Sequence, residues 1–453
     1  MYAELTLENI TLTKGATPSN HIGGAGVYVN SGGTLIMQGS STITNCKAGK
    51  GGGVHVSGGT FKMQDSAVVT PSTGSEQYTA GKNDVYLTSG KTITVDGTLS
   101  NNPAARITPQ SYTATTVLTG NITGSSPQNY TKFTVTPQKV TENSENWNVF
   151  WYIATDGTLK AEVEDFETLK EAINAAPADN TPFVIKLAGT ISIREMVQIP
   201  NGKKITLKAD NASKPAILKC SHNWQIYTYF DVQSGAALTL EGLITLQGVD
   251  SSYRKLHYAL SVNQNGNAEI KNGVTITGFK NYNVTKSNGV EQAGKGPVFV
   301  DGTLTMSGGT IKENTVVNDA TVWSGGGGGG VYVGATGNFI MKGGTITQNE
   351  ASGYNTSNGG SGVYVKGQFT MEGGTIEKNK TAYAGGGVLV GGGVFNMEGG
   401  KITENQSNRG KGVMVRGGIF NWNNGQITTN YGYGNAVVTE SGGAFNDNGH
   451  TAS

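Results

Sequence analysis

The sequence predicts an all-β solenoid, a parallel β-helix, and three columns of recurring residues predict it. The first column is Val331-Tyr332-Val333, Val363-Tyr364-Val365, Val388-Leu389-Val390 and Val413-Met414-Val415, with starts 32, 25 and 25 residues apart and a looser copy at Val298. The second is Phe339-Ile340-Met341, Phe369-Thr370-Met371, Phe395-Asn396-Met397 and Phe420-Asn421-Trp422. The third is an Ile at 311, 346, 376, 402 and 427, each followed three residues later by Asn314, Asn349, Asn379, Asn405 or Asn430. A repeat of this period implies similar turns stacked on one another, each touching mainly its neighbours.

Each segment is short, β-branched or aromatic and bounded by glycine, so it reads as a strand. Period-two alternation points the paired Val, Phe and Met inward. It points the middle residue of each triplet outward, including Ile340, Thr370, Asn396 and Asn421. Three such strands per turn of about 25 residues make one coil, and coils pair at roughly 4.8 Å. Each buried Phe or Met then contributes about 1.5–3 kcal/mol per coil. Gly-Gly at 343–344, 373–374 and 399–400 marks bends where positive φ is cheap. The asparagines read as an amide ladder between coils rather than a polar ligand site.

The chain divides by sequence into two units. Residues 1–100 carry the C-terminal coils of a first unit: Glu4-Leu-Thr-Leu-Glu matches Ala237-Leu-Thr-Leu-Glu, and Leu35-Ile-Met, Thr42-Ile-Thr, Val54-His-Val56 and Phe61-Lys-Met follow. Residues 101–162 contain Pro103, Pro109, Pro127 and Pro137 and a Trp147–Tyr152 aromatic cluster, and are expected to be an irregular tail and joint. The second unit, 163–453, opens with a helix over about 165–176, N-capped by Asp165 and stopped by Pro177. Phe166, Leu169, Ala172, Ile173 and Ala176 form its apolar face. It is the candidate cap, because an open coil exposes core and unpaired backbone. The first unit lacks a comparable cap and the second ends without a tail. The chain is therefore expected to be a segment of a longer tandem protein.

Composition narrows the functions. Glycine is 69 of 453 residues, charged residues are 14%, and the net charge is +1 with Lys and Arg scattered, which leaves no electrostatic footprint for nucleic acid. No apolar stretch is long enough to span a membrane as a helix. Cys46 and Cys220 stand in different units outside any metal-binding spacing, and Cys46 takes a ladder position where other coils have Asn. The histidines, His21, His55, His222, His257 and His450, are not at ligand spacing. The glycine run 325–330 lacks the Lys-Ser/Thr of a phosphate loop and reads as a bend before Val331. No catalytic, metal or cofactor residue is assigned.

Gly51-Gly-Gly-Val, Gly330-Val331, Gly385-Gly-Gly-Val and the Ile-x-x-Asn segments resemble the paired Gly-Gly-Ala-Ile and Phe-x-x-Asn motifs of polymorphic outer-membrane proteins. The resemblance covers about 20–100 and 290–440, with Ile in place of Phe and Val in place of Ile. It implies a right-handed β-helix at a bacterial surface, in the outer membrane or outside the cell, associated with adhesion. A helix followed by coils is also similar to the pectin-lyase-like superfamily.

Two constellations invite chemistry. Glu372 and Glu398 follow the column Met in adjacent coils, near the ~5–5.5 Å separation of a retaining glycosidase. Lys342 in the same column makes an ordinary charged face the plainer reading. Tyr28, His55, Tyr86, Phe299, Tyr332 and Tyr364 fill the middle of the Val-x-Val strand as a candidate ligand platform for sugars or protein partners. Stacked rings also stabilise strands by about 0.2–1 kcal/mol per pair, and that structural role is favoured. The expected function is a non-enzymatic adhesin-like protein binding host or matrix protein or glycan. The alternatives are a polysaccharide lyase or hydrolase and a purely structural spacer.

Overall fold

A computed structural model describes residues 3–18, 23–142, 145–220, 228–248, 258–282, 284–285, 291–292, 294–318, 327–353, 359–440 and 442–450. The chain forms two compact units, 1–162 and 163–453. Both are all-β solenoids of stacked parallel strands.

In the second unit each coil contributes one strand to each of three sheets. The Val and Ile sheets have nine strands each, running from Val197–Ile199 to Val437–Thr439 and from Gly189–Ile193 to Gln426–Thr428. The Phe sheet runs from Pro182–Leu187 to Ala444–Asn446. Register follows the sequence columns: Val331 pairs Val363, Phe339 pairs Phe369, and Ile346 pairs Ile376. Like residues therefore stack. The rings of Phe339, Phe369, Phe395 and Phe420 lie 4.9, 4.6 and 4.7 Å apart and within 8° of parallel. Beside them the Met341, Met371 and Met397 methyl groups lie over Gly374, Gly400 and Gly425 of the next coil, glycines that also have φ near +80 to +95°.

A second glycine position shows why the Gly-x-Gly-Val and Ile-x-x-Asn motifs travel together. A Cβ on Gly330, Gly362, Gly387 or Gly412 would sit 2.8–2.9 Å from the Cγ2 of Ile346, Ile376, Ile402 or Ile427 of the same coil. It would also approach the adjoining ladder amide to 3.1–3.2 Å. Ile and Asn reach across the coil and fill the volume that a side chain there would need.

The asparagine ladder is continuous and polar. Asn314, Asn349, Asn379 and Asn405 are fully buried. In each, the backbone N–H and the side-chain NH2 both donate to the Oδ1 of the next asparagine, at 2.9–3.1 Å. The same NH2 donates backwards to the carbonyl of Ile276, Ile311, Ile346 or Ile376. Just before each ladder residue stands one in the left-handed region: Glu313, Gln348, Lys378, Glu404 and Thr429, φ 54–56°. For the β-branched Thr429 this conformation is strained, whereas Asn adopts it readily. Thr429→Asn is expected to stabilise the protein by about 1 kcal/mol; a lowered midpoint in thermal unfolding would contradict the strain.

The structure adds a fourth, short sheet after the ladder bend: Lys280–Tyr282, Thr315–Asn318, Glu350–Gly353 and Lys380–Thr381. Helix α1 (Phe166–Ala175) begins where expected, with the Asp165 carboxylate accepting from Thr168 N at 2.9 Å. Its Phe166, Leu169, Ala172 and Ile173 are buried. Lys203 is buried at its other end and donates to the carbonyls of Ile173 and Asn174 at 2.6 and 2.8 Å.

In the first unit the three sheets begin at Ala3–Glu8, Thr11–Thr13 and Val27–Val29. Residues 101–162 are not an irregular tail throughout. Leu118–Gly120 extends the sheet of Ala3–Glu8, while Ala105–Pro109 and Phe133–Val135 extend that of Val27–Val29. The inward column there is Ala105 and Ile107 rather than Val-x-Val. Gln138–Glu142 and Glu145–Val149 form an antiparallel pair. Cys46 occupies the ladder position, buried, its backbone N–H donating to Asn83 Oδ1 at 3.0 Å. Cys220 is likewise a buried free thiol.

Candidate functional site

The six residues proposed as a platform fall into two columns, one per unit. In the first unit His55 lies edge-on between Tyr28 and Tyr86, with centroids 4.9 Å apart on both sides. In the second, Tyr258, Phe299, Tyr332 and Tyr364 stack at 5.5, 5.8 and 5.0 Å, and Lys295 Nζ stands 4.2 Å from the Phe299 centroid. The columns lie outside the solenoid core, as alternation requires, yet they are mostly covered. His55, Tyr86, Tyr332 and Tyr364 are 2, 6, 4 and 4% exposed, Phe299 is half-buried, and Tyr28 alone is open at 43%.

The cover is backbone. Ahead of each Val strand the chain folds back over the middle residue, and successive coils pair there through Lys295, Gly327, Gly359, Ala384 and Arg409. Gly391 lies against the Tyr364 hydroxyl so closely that a Cβ would stand 2.5 Å from its oxygen. Tyr332, Tyr364, Ala384, Leu389 and Met414 thus form a second apolar cluster, flanked by Phe299, Tyr383 and Val438. A sugar ring cannot lie flat on a ring already roofed by glycine.

Burial pushes the Tyr258, Tyr332 and Tyr364 hydroxyls above their usual titration range. An unfolded tyrosine titrates near pH ~10. Above that pH the unfolded state has released protons that the folded state still holds, so stability falls as pH rises. Each such tyrosine withdraws up to about 1.4 kcal/mol per pH unit between its two pKa values. Alkaline titration should therefore unfold the protein steeply above pH ~10. Tyr332→Phe with Tyr364→Phe should shift that limb upward, and an unmoved limb would show that these phenols are free to ionise.

The Glu372 and Glu398 column is a surface ladder. Both residues are exposed, and Glu398 accepts from Asn423 Nδ2 at 2.7 Å, whose own Oδ1 accepts from Asn448 at 2.7 Å. Beside it Asn446, Asn421 and Asn396 are chained by amide bonds of 2.7 Å. His21, His222 and His257 lie outside the described residues, as do Gly325 and Gly326.

One cluster was not visible in the sequence. In the first unit the buried Asp84 carboxylate accepts from Gly52 N and Gly81 N at 2.9 and 3.0 Å and from the Thr108 hydroxyl. Thr108 shares a 2.6 Å bond with Thr136. Buried Arg106 donates to the carbonyls of Gln77, Thr79 and Lys82, and burial holds its guanidinium below the usual range against the favourable field of Asp84. Every partner of Asp84 lies in a bend or an adjacent coil, so the cluster clamps the segment 77–84. Its members share no spacing that a motif could reveal.

Among the described residues no group of three or more His, Cys, Asp or Glu is placed to hold a metal ion. No described helix is long and apolar enough to cross a membrane. No protein-family model, curated protein or solved structure matches this chain.

Proposed function

We propose that this chain is a right-handed parallel β-helix that binds a partner without turning it over, displayed at a bacterial surface or secreted, in the manner of an adhesin. The placement of length variation supports this reading. From an Ile strand to the next Val strand, Thr277 to Val298, Lys312 to Val331 and Thr347 to Val363 are longer than Glu377 to Val388 and Thr403 to Val413. The other two corners of these coils are short throughout. In stacked repeats, insertions gathered at one corner mark the face that meets partners, while the shared columns hold the scaffold fixed. The partner class is a host or matrix protein or glycan.

The test is binding of the full chain to arrays of matrix proteins and glycans, with product analysis in parallel. Saturable retention without release of reducing ends or unsaturated sugar is expected. Shortening the Lys312–Val331 segment to the length of Glu377–Val388 should abolish retention and leave unfolding unchanged. Release of sugar fragments would make the protein a polysaccharide-cleaving enzyme, and neither retention nor release would make it a spacer.

A further inference from the structure

The two units end differently on the side where their first coils lie. In the second unit the first strands, Pro182–Leu187, Gly189–Ile193 and Val197–Ile199, keep Phe183, Ile185, Ile191 and Ile193 fully buried. Helix α1 packs its Phe166, Leu169, Ala172 and Ile173 there, and Lys203 ties down its C-terminal carbonyls. In the first unit the equivalent strands, Ala3–Glu8, Thr11–Thr13 and Val27–Val29, each pair on one side only among the described residues. Leu5, Ile10 and Tyr28 are 46, 47 and 43% exposed. One coil further in, Leu35 and Ile43 are closed, at 1 and 0%. Between the exposed strands lies an apolar hollow of about 290 Å³, lined by Leu5, Val27, Val29 and Leu35 among others.

We infer that this open end is a docking surface for an amphipathic helix of the α1 kind, carrying a stripe of large apolar residues at helical spacing. The chain itself supplies the precedent. The same type of coil end, built from the same kinds of column, is closed by such a helix in the second unit. A hollow bounded by strands of two sheets suits the convex apolar face of a helix, which fills the lumen without needing the strand register to continue. This inference does not depend on the adhesin reading.

The experiment places a second copy of residues 161–181 directly ahead of Ala3 in the full chain, keeping the helix-to-strand spacing of the second unit. Amide hydrogen exchange is followed with and without the graft. Exchange at Thr11–Thr13 and Val27–Val29 should slow on the order of tenfold or more. Exchange at Val197–Ile199 should stay unchanged, which shows that the second unit is intact. A control graft carrying L169D and I173D should give no protection. Equal exchange with and without the apolar graft would overturn the inference, and so would equal protection by the control. Finding the ungrafted end already protected in a concentration-dependent dimer would assign the surface to a second copy instead.

Discussion

Gly387→Ala is expected to cost about 3 kcal/mol, more than its single methyl group suggests. The new Cβ would stand 2.7 Å from the Gly412 carbonyl oxygen of the next coil, 2.8 Å from Ile402 Cγ2 and 3.1 Å from Asn405 Nδ2. The first is a backbone atom in a paired strand, and the others are buried side chains in a close-packed lumen, so none can retreat cheaply. Gly417→Ala is the matched control. It has a φ outside the left-handed region and nothing within 4 Å of the added carbon. It should be neutral or stabilise by up to about 1 kcal/mol through the unfolded chain. Denaturant unfolding of both variants measures the contrast, and equal effects would mean that the coil interior is not packed as described.

Asn379→Ala should destabilise by a similar amount. It removes the oxygen that accepts from both Asn349 N and Asn349 Nδ2 at 3.0 Å, leaving two buried donors without a partner. Each orphaned group costs about 1–3 kcal/mol, whereas a surface amide would cost almost nothing. Asn379→Asp keeps the acceptor but turns an ionised oxygen toward the Ile346 carbonyl and Asn405 Oδ1, where the native amide donates at 2.9 and 3.0 Å. The aspartate pKa in the folded variant must therefore rise above its unfolded value, so stability returns as pH falls through it. Loss of stability in the Asp variant with no recovery toward acid pH would reject the ladder's donor and acceptor assignment.

The columns were legible because their residue types repeat where a side chain meets its counterpart. Val331, Phe369, Ile376 and Asn379 each announce a position that recurs in the neighbouring coils. The cover over Tyr332 and Tyr364 was not legible, because glycine backbone provides it and glycine carries no hydropathy pattern. An outward residue was therefore read as a solvent-facing one. The fourth sheet escaped for a related reason: Lys280, Thr315, Glu350 and Lys380 share a position but no chemistry. The left-handed bend at Glu313, Gln348, Lys378, Glu404 and Thr429 was equally silent, since the ladder imposes it on residues that do not ask for it. Past residue 100 the coils continue on Ala105, Ile107 and Leu118, substitutions that broke the pattern without breaking the stack.

The asparagine ladder also fixes an order of events. Asn349 donates to Asn379 and Asn379 to Asn405, so each bend finds its acceptor in the coil that follows it in the chain. A nascent or translocating polypeptide thus fastens each repeat only when the succeeding one has emerged. Consolidation trails the growing end by one turn and advances as a ratchet in the direction of synthesis. Because every rung is alike, inserting or deleting a whole coil leaves the remaining rungs matched, and the gene can change its repeat number without redesigning any junction.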